Sequence, residues 1–342
     1  MALYKLALLG FGNVGRAFAN LLLRKRTELK QRYEVTFVVT GISTRKHGNV
    51  VNPSGVDLTG ALELVRSGRS VNLVTTSLVV DGQDFIRKCG ADVLFETTPV
   101  NHQTGQPAID YIRTALEQGM HVVTANKGPV VHAYRELTEL AQSKGRKFFF
   151  ESAVMDGAPI FSLFRSALPA VRLNGFRGLL NSTTNLILTR MESGESFEAA
   201  VKYAQSIGLA ETDPTADVEG WDAAVKVAAL ATVLMEAPLL PQQVDRTGIQ
   251  GITPEMVRDA KASGKRWKLV CSAERNGEGV RGHVAPEQVP LSSPLYGVEG
   301  SSSIVEFKTD TLSSLSIVEG NPGPDTTAYG LLADFLNAVR DG

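Results

Sequence analysis

The feature that most constrains this chain lies near its amino end. A short apolar run, Tyr4 to Leu9, stops at Gly10-Phe11-Gly12-Asn13-Val14-Gly15 and gives way to a helical pattern from Val14 to about Leu29. Strand, glycine turn and helix in that order predict a dinucleotide site. Gly10 permits a tight turn, Gly12 lets backbone approach a pyrophosphate, and Gly15 lets helix and strand pack closely. The helix amino terminus then faces negative charge. Phe11, Asn13 and Val14 complete the turn and join the three glycines as candidate cofactor-binding residues. A plain tight turn is the bland alternative, and the position between strand and helix argues against it.

The chain beyond this helix keeps an alternating rhythm. Glu34 to Ile42, Asp92 to Glu96, His121 to Thr124 and Lys147 to Phe150 read as strands, with helices predicted at Ala108 to Gln118 and Tyr134 to Ser143. Alternation of this kind implies a Rossmann-type, doubly wound parallel sheet, an α/β fold with helices on both faces. After Glu151 the rhythm changes. A helical run is predicted from Pro159 to Leu168, a strand from Arg172 to Leu180, and helices from Thr184 to Glu192 and Ala223 to Met235. Strands at Trp267 to Ala273, Ser303 to Phe307 and Leu315 to Val318 complete an α+β second domain. A chain of 342 residues exceeds what one hydrophobic core fills. We therefore divide it into a dinucleotide-binding domain, 1–150, and a substrate-binding and dimerisation domain, 151–319, with 320–342 returning to the first through a helix at Thr327 to Val339.

In open α/β sheets the ligand lies beyond the carboxyl ends of the strands. Thr97 and Thr98, Lys127 and Glu151 stand at such ends. No acidic residue closes the second strand to accept bonds from a ribose. Thr40 to Lys46 offers hydroxyls and two cations instead, so Arg45 and Lys46 are expected to hold the 2′-phosphate of NADP, in preference to NAD; their bland reading is solvated loop charge. A formal net charge of −1 with no block of one sign argues against nucleic-acid or membrane-surface binding and for a small-molecule partner. Cys89 and Cys271 are far apart, without neighbouring ligands at metal spacing, which makes a disulfide framework or zinc site unexpected. The apolar start is too brief for a signal peptide or membrane span, so a cytoplasmic enzyme is expected.

Five carboxylates precede one lysine between Ala204 and Lys226. From Ala223 to Met235 the only cation is Lys226, in a helix apolar on nearly every face, and such a helix is buried. A buried ammonium is costly unless paired, and Asp222 lies four residues earlier on the same face. An ordinary surface salt bridge would suit an amphipathic helix; among Ala, Val and Leu a functional pair beside a cleft is the better reading. Glu211 and Asp213, otherwise solvated turn carboxylates, would suit a substrate carrying an ammonium group.

With these motifs in hand, the sequence resembles the homoserine dehydrogenases. The resemblance is carried by the glycine turn, by Asn126-Lys127, by Asn181-Ser182-Thr183-Thr184-Asn185, by the Ala204–Lys226 segment, and by Gly323 with Thr327-Ala328. It runs over almost the whole chain. It implies reversible, NAD(P)-dependent reduction of L-aspartate 4-semialdehyde to L-homoserine, toward threonine, methionine and isoleucine, by a homodimer paired through the second domain. It implies Lys226 as the proton donor, Lys127 as second candidate on the cofactor side, and Asp222 orienting lysine and substrate. Glu211, Asp217, Gly208 and Thr183 are implied as further substrate contacts; Thr184, Asn185 and Gly323 are implied toward the cofactor, although Thr183 to Asn185 also read as a helix cap. A monovalent cation such as Na+ is implied at Glu151, Val154, Asp156 and Ala158. Where the family carries a glycine-rich turn after Glu151, this chain reads Ser152-Ala153-Val154-Met155-Asp156-Gly157-Ala158-Pro159, which puts an acidic side chain in that site. No carboxyl-terminal regulatory domain is expected, and hence no threonine feedback through one. The rivals are an aspartate dehydrogenase-like enzyme and a silent dinucleotide sensor, which would need no buried Asp222 and Lys226.

Overall fold

The computed structural model describes residues 1–74, 78–277 and 279–340; residues 341 and 342 of the expected returning segment lie outside the described residues. The chain divides into two compact units, Met1–Pro159 with Pro324–Gly342, and Ile160–Gly323.

The first unit opens with β1 (Ala2–Leu9), α1 (Asn13–Tyr33), β2 (Val35–Thr44), β3 (Gly48–Val51), α2 (Leu58–Arg66) and α3 (Gly82–Cys89). It continues with β4 (Val93–Glu96), α4 (Ala108–Glu117), β5 (His121–Thr124), α5 (Lys127–His132), α6 (Tyr134–Ser143) and β6 (Phe148–Phe149). The sheet runs β3-β2-β1-β4-β5-β6. Its order reverses between β1 and β4, the crevice where open α/β sheets bind ligands. One feature departs from the expected parallel sheet. β3 is antiparallel to β2, with Thr44 opposite Gly48, because three residues cannot carry a parallel crossover.

The unit's core joins Leu6 and Leu8 of β1, Phe18 and Leu22 of α1, Phe95 of β4 and Phe335 of the C-terminal helix, Pro324–Arg340. Phe335 sits edge-on to both Tyr4 and Phe95, at 5.9 and 5.8 Å between ring centres. The Tyr4 hydroxyl donates to the Val339 carbonyl at 3.4 Å.

The second unit contains β7 (Leu173–Leu179), α7 (Ser182–Glu192), α8 (Phe197–Ser206), α9 (Thr215–Val218), α10 (Trp221–Leu234), β8 (Asp245–Arg246) and α11 (Pro254–Ala262). It ends with β9 (Lys265–Asn276), β10 (Gly279–Pro290), β11 (Ser303–Thr309) and β12 (Leu315–Glu319). The sheet runs β12-β11-β7-β9-β10-β8 and is antiparallel except where β8 joins β10. The helix α10 packs across β9 and β10; its run of Ala, Val and Leu is buried from Ala223 to Thr232, interrupted only at Lys226.

The helix expected over Pro159 to Leu168 shrinks to a short stretch ending in a wide turn, in which the Leu168 N–H reaches the Leu163 carbonyl at 3.0 Å. The long strand β10 is not apparent from sequence, because Gly282 and Pro286 interrupt its pattern and most of its side chains stay half-exposed or exposed. The helix α8 is similarly obscure. It buries only Ala200 and Ala204, a stripe too thin to signal periodicity.

Candidate active site

In the first unit the glycine turn is held by its neighbours at the strand ends. The Gly10 N–H donates to the Ser43 carbonyl at 2.9 Å, and the Thr97 hydroxyl donates to the Gly10 carbonyl at 3.0 Å. Gly10 adopts φ +103°, and a Cβ there would come within 2.5 Å of the Thr97 carbonyl oxygen. Gly12 differs. A Cβ on Gly12 would meet nothing within 4 Å, so packing within the chain does not demand glycine there, whereas close approach of a phosphate to bare backbone does. The first turn of α1 carries no acidic residue and its cap makes no side-chain hydrogen bond, which leaves N–H groups for an anion. Phe11 is buried, Val14 half-buried, and Asn13 accepts from Arg16 at 2.8 Å. These residues fit a dinucleotide pyrophosphate.

Arg45 and Lys46 are exposed at the tip of the β2–β3 hairpin. The tip is shaped by Thr44, whose hydroxyl oxygen accepts from the N–H groups of Lys46 and His47 at 3.2 and 3.1 Å. Thr98 follows β4 with its hydroxyl donated to Glu96, so both threonine hydroxyls, Thr97 and Thr98, are engaged by the protein. Lys127, half-buried, opens α5, whose amino end is capped by Asn126 accepting from the Gly128 N–H at 3.0 Å.

The turn after β6 is packed against the C-terminal helix. The Glu151 N–H donates to Asp334 at 2.6 Å and the Ser152 hydroxyl to the Thr327 carbonyl at 2.8 Å. Glu151, Val154 and Ala158 are buried. Asp156, the departure from the family turn, adopts φ +42° and accepts from the Thr326 hydroxyl at 3.1 Å. Its carbonyl oxygen faces Gly330, at 2.6 Å from where a Cβ would stand. One carboxylate with backbone carbonyls suits a monovalent ion better than a divalent one; of the four candidates Asp156 fits least, since its carbonyl faces the helix. Among the described residues no group of three or more His, Cys, Asp or Glu could hold a metal ion.

The second unit gathers the predicted acids and lysine around a residue that sequence reasoning did not single out. Lys226 donates to the Leu180 carbonyl at 2.7 Å and pairs with Asp222 at 3.0 Å, each side chain 15% exposed. The Asn181 amide donates to both acids, Asp217 at 2.7 Å and Asp222 at 3.0 Å. The Asn181 side-chain oxygen, Oδ1, accepts from the Thr184 N–H at 2.8 Å and so caps α7. The Thr183 hydroxyl bonds Asp217. Burial and then the like charge of Asp222 push the Asp217 carboxyl up, against the pull of Asn181, Lys226 and Thr183. The cluster thus places an ammonium, an ion-paired carboxylate and a second carboxyl, raised by burial, together.

Other candidates fall outside this group. Glu211 is exposed, and its carbonyl accepts from the Gln205 amide at 3.3 Å; Asp213 is exposed and accepts from the Thr215 N–H at 3.1 Å. Gly208 ends α8 with φ +73°. A Cβ at Gly323, ahead of the C-terminal helix, would meet nothing within 4 Å. Thr184 is buried, its hydroxyl donated to the Asn181 carbonyl at 3.0 Å.

Asn185 requires a correction. Its amide donates to the carbonyls of Val298 and Ser302 at 3.3 and 3.0 Å, and its oxygen accepts from Lys268 at 2.8 Å. The side chain expected to meet cofactor is therefore spent inside the unit. Lys268 itself is fully buried and was not anticipated; its sharing a strand face with Val270 is the signal that could have found it. Cys89 and Cys271 are free and buried, their thiols pushed up by burial to about 11 and about 12, which makes them inert. Among the described residues no helix is long and apolar enough to cross a membrane.

Known proteins match along both units. Residues 10–151 match the family described as homoserine dehydrogenase, NAD binding domain, and residues 159–336 match homoserine dehydrogenase. An NAD(+)-dependent homoserine dehydrogenase of Pseudomonas canavaninivorans is 37% identical over 339 residues, covering 98% of this chain and 96% of the relative. A homoserine dehydrogenase of Methanocaldococcus jannaschii is 37% identical over 334 residues, covering 96% and 97%. Among solved structures, a putative homoserine dehydrogenase from Archaeoglobus fulgidus superposes with a TM-score of 0.85 at 33% identity, covering 98% of each chain. A hyperthermophilic archaeal homoserine dehydrogenase in complex with NADPH gives 0.83 at 26% identity, covering 100% of this chain and 99% of the other.

Proposed function

The chain belongs to the homoserine dehydrogenase family of NAD(P)-dependent oxidoreductases, and on that premise we propose how its own residues interconvert L-aspartate 4-semialdehyde and L-homoserine. The observation that carries the reading is the Asn181–Asp217–Asp222–Lys226 cluster. A bound nicotinamide would supply the hydride exchange between the aldehyde and the alcohol. As the substrate oxygen gains negative charge, Lys226 stands as its proton donor and stabilising cation. Asp222 holds that ammonium in place, and Asn181 fixes both acids to the start of α7. Asp217, with Thr183 and Gly208, lines the substrate side, and Glu211 receives the substrate ammonium. Lys127 serves the cofactor side with the glycine turn, Thr97, Thr98, Thr184 and Gly323.

NADP is the preferred carrier in this reading, because Arg45 and Lys46 follow a strand that ends without a carboxylate. The NAD(+)-dependent name of the Pseudomonas relative favours the other choice and makes the comparison worth measuring. Glu151 with the carbonyls of Val154 and Ala158 would hold a monovalent cation such as Na+ and tie the turn. The enzyme acts in the cytoplasm, where Cys89 and Cys271 stay reduced, and as a homodimer. Its pairing surface lies on the second unit's sheet, whose outer strand β12 exposes Val318.

The test is the appearance of reduced cofactor when purified protein meets L-homoserine with NADP+ or NAD+. Turnover supports the reaction; a preference for NADP+ that falls about tenfold in R45A/K46A, the scale of a lost charge-assisted contact, supports the phosphate site. Ammonia-dependent turnover of another substrate, or cofactor binding without turnover, would overturn the reading.

A further inference from the structure

Glu96 is the last residue of β4, wholly buried, and has no place in the mechanism above. Its carboxylate closes a ring of hydrogen bonds across the carboxyl ends of β4 and β5. One oxygen accepts from the Thr98 N–H at 2.7 Å and from the Thr98 hydroxyl. The other accepts from the Thr124 hydroxyl at 2.6 Å. Thr124 in turn accepts from the Asn126 N–H at 2.9 Å, so its single proton is committed to Glu96. The Asn126 amide returns to the Thr98 carbonyl at 3.3 Å and completes the circuit. Asn126 is also the cap of α5, the residue before Lys127.

Burying a carboxyl group this deeply is costly, and an apolar side chain would fill a strand end at less expense in stability. Burial pushes the Glu96 carboxyl up, while the donors from Thr124, Thr98 and Asn126 pull it down. These donors are neutral hydroxyls and amides, so the acid is retained for what it holds. We propose that Glu96 is a positioning residue: through Thr124 and Asn126 it sets where α5 begins and hence where Lys127 stands, and through Thr98 it fixes the cofactor-facing loop after β4. The inference rests on the proposed reading of Lys127 and that loop.

The experiment compares wild type, E96Q, T124V and E96Q/T124V. It reads kcat and KM with L-homoserine and NADP+, cofactor Kd by fluorescence without substrate, and melting temperature. E96Q is expected to lose about tenfold to a hundredfold in kcat, the scale of a reacting group displaced by about an ångström, while the folded fraction is unchanged. T124V should lose less, in the same direction. The double variant should be no worse than E96Q, because both changes cut one circuit. Wild-type kcat and Kd in E96Q, or losses that add in the double variant, overturn the proposal. So does a kinetic loss matched by the unfolded fraction; if E96Q does not fold, T124V alone carries the kinetic test. An inactive wild type defeats the proposed reaction instead. The ring is then judged by cofactor Kd, severalfold weaker in E96Q if the proposal holds and unchanged if it fails.

Discussion

Lys226, half-buried, and Lys268, fully buried, belong to the same unit, but their surroundings differ in kind. The Lys226 ammonium meets a carboxylate, Asp222 at 3.0 Å, beside a second acid held by Asn181. Lys268 meets two neutral acceptors, the Asn185 amide oxygen at 2.8 Å and the Val298 carbonyl at 2.7 Å. Glu192 lies near enough to raise its pKa but not to outweigh burial, which lowers it to about 8. Lys226 keeps 15% of its side chain exposed, which gives a substrate access to its proton, whereas Lys268 is fully enclosed. A lysine given only neutral acceptors is a tie between α7, β9 and the segment ahead of β11.

The sharpest break between the two is kinetic. K226A should lower kcat by about two to four orders of magnitude, the scale of a lost acid-base group, in a protein that still folds. K268M should keep kcat within about threefold per folded molecule. Equal losses, measured by steady-state rates alongside circular dichroism, would erase the distinction.

The second effect is on stability against pH. Lys268 has a folded pKa of about 8 against an ordinary 10.5, so between those values the unfolded chain binds the proton that the folded chain has released. Stability contributed at this site is therefore lowest below the folded pKa and rises with pH, by about 3 kcal/mol across the window. Denaturant unfolding of wild type minus K268M, followed from pH 7.5 to 10.5, should show that rise. A flat difference would mean that the ammonium is not desolvated.

The smallest expected effect comes from N185D, which gives Lys268 the kind of partner Lys226 has. The pH-dependent rise should shrink, and the cofactor KM should stay within about twofold, because the Asn185 side chain faces inward; a tenfold increase in cofactor KM would restore Asn185 to the cofactor site.

The same contrast explains what could be read from the residues alone. The glycine turn is built from backbone, and its chemistry is written in consecutive positions, so its spacing announces it. Asp222 and Lys226 are four residues apart on one helix and equally legible. Asn181 is not, because its importance arises from bonds to residues 36 and 41 positions away. Asn185 misled by adjacency: two positions beyond Thr183 on a helix, it faces nearly the opposite way. The edge hairpin escaped because β3 is only four residues long, and Lys268 because a cation inside an apolar strand reads at first as an exposed one.

The C-terminal helix carries a consequence for how the chain is made. Phe335 completes the core around Tyr4 and Phe95, so a sheet translated before the second unit depends on a helix translated after it. At a synthesis rate of about 5–20 residues per second, the intervening unit takes roughly ten to thirty seconds to emerge. For that interval the nascent first unit has one flank of its sheet wet and apolar. The order of translation thus finishes the dinucleotide-binding fold after the second unit, although its sheet is encoded before that unit.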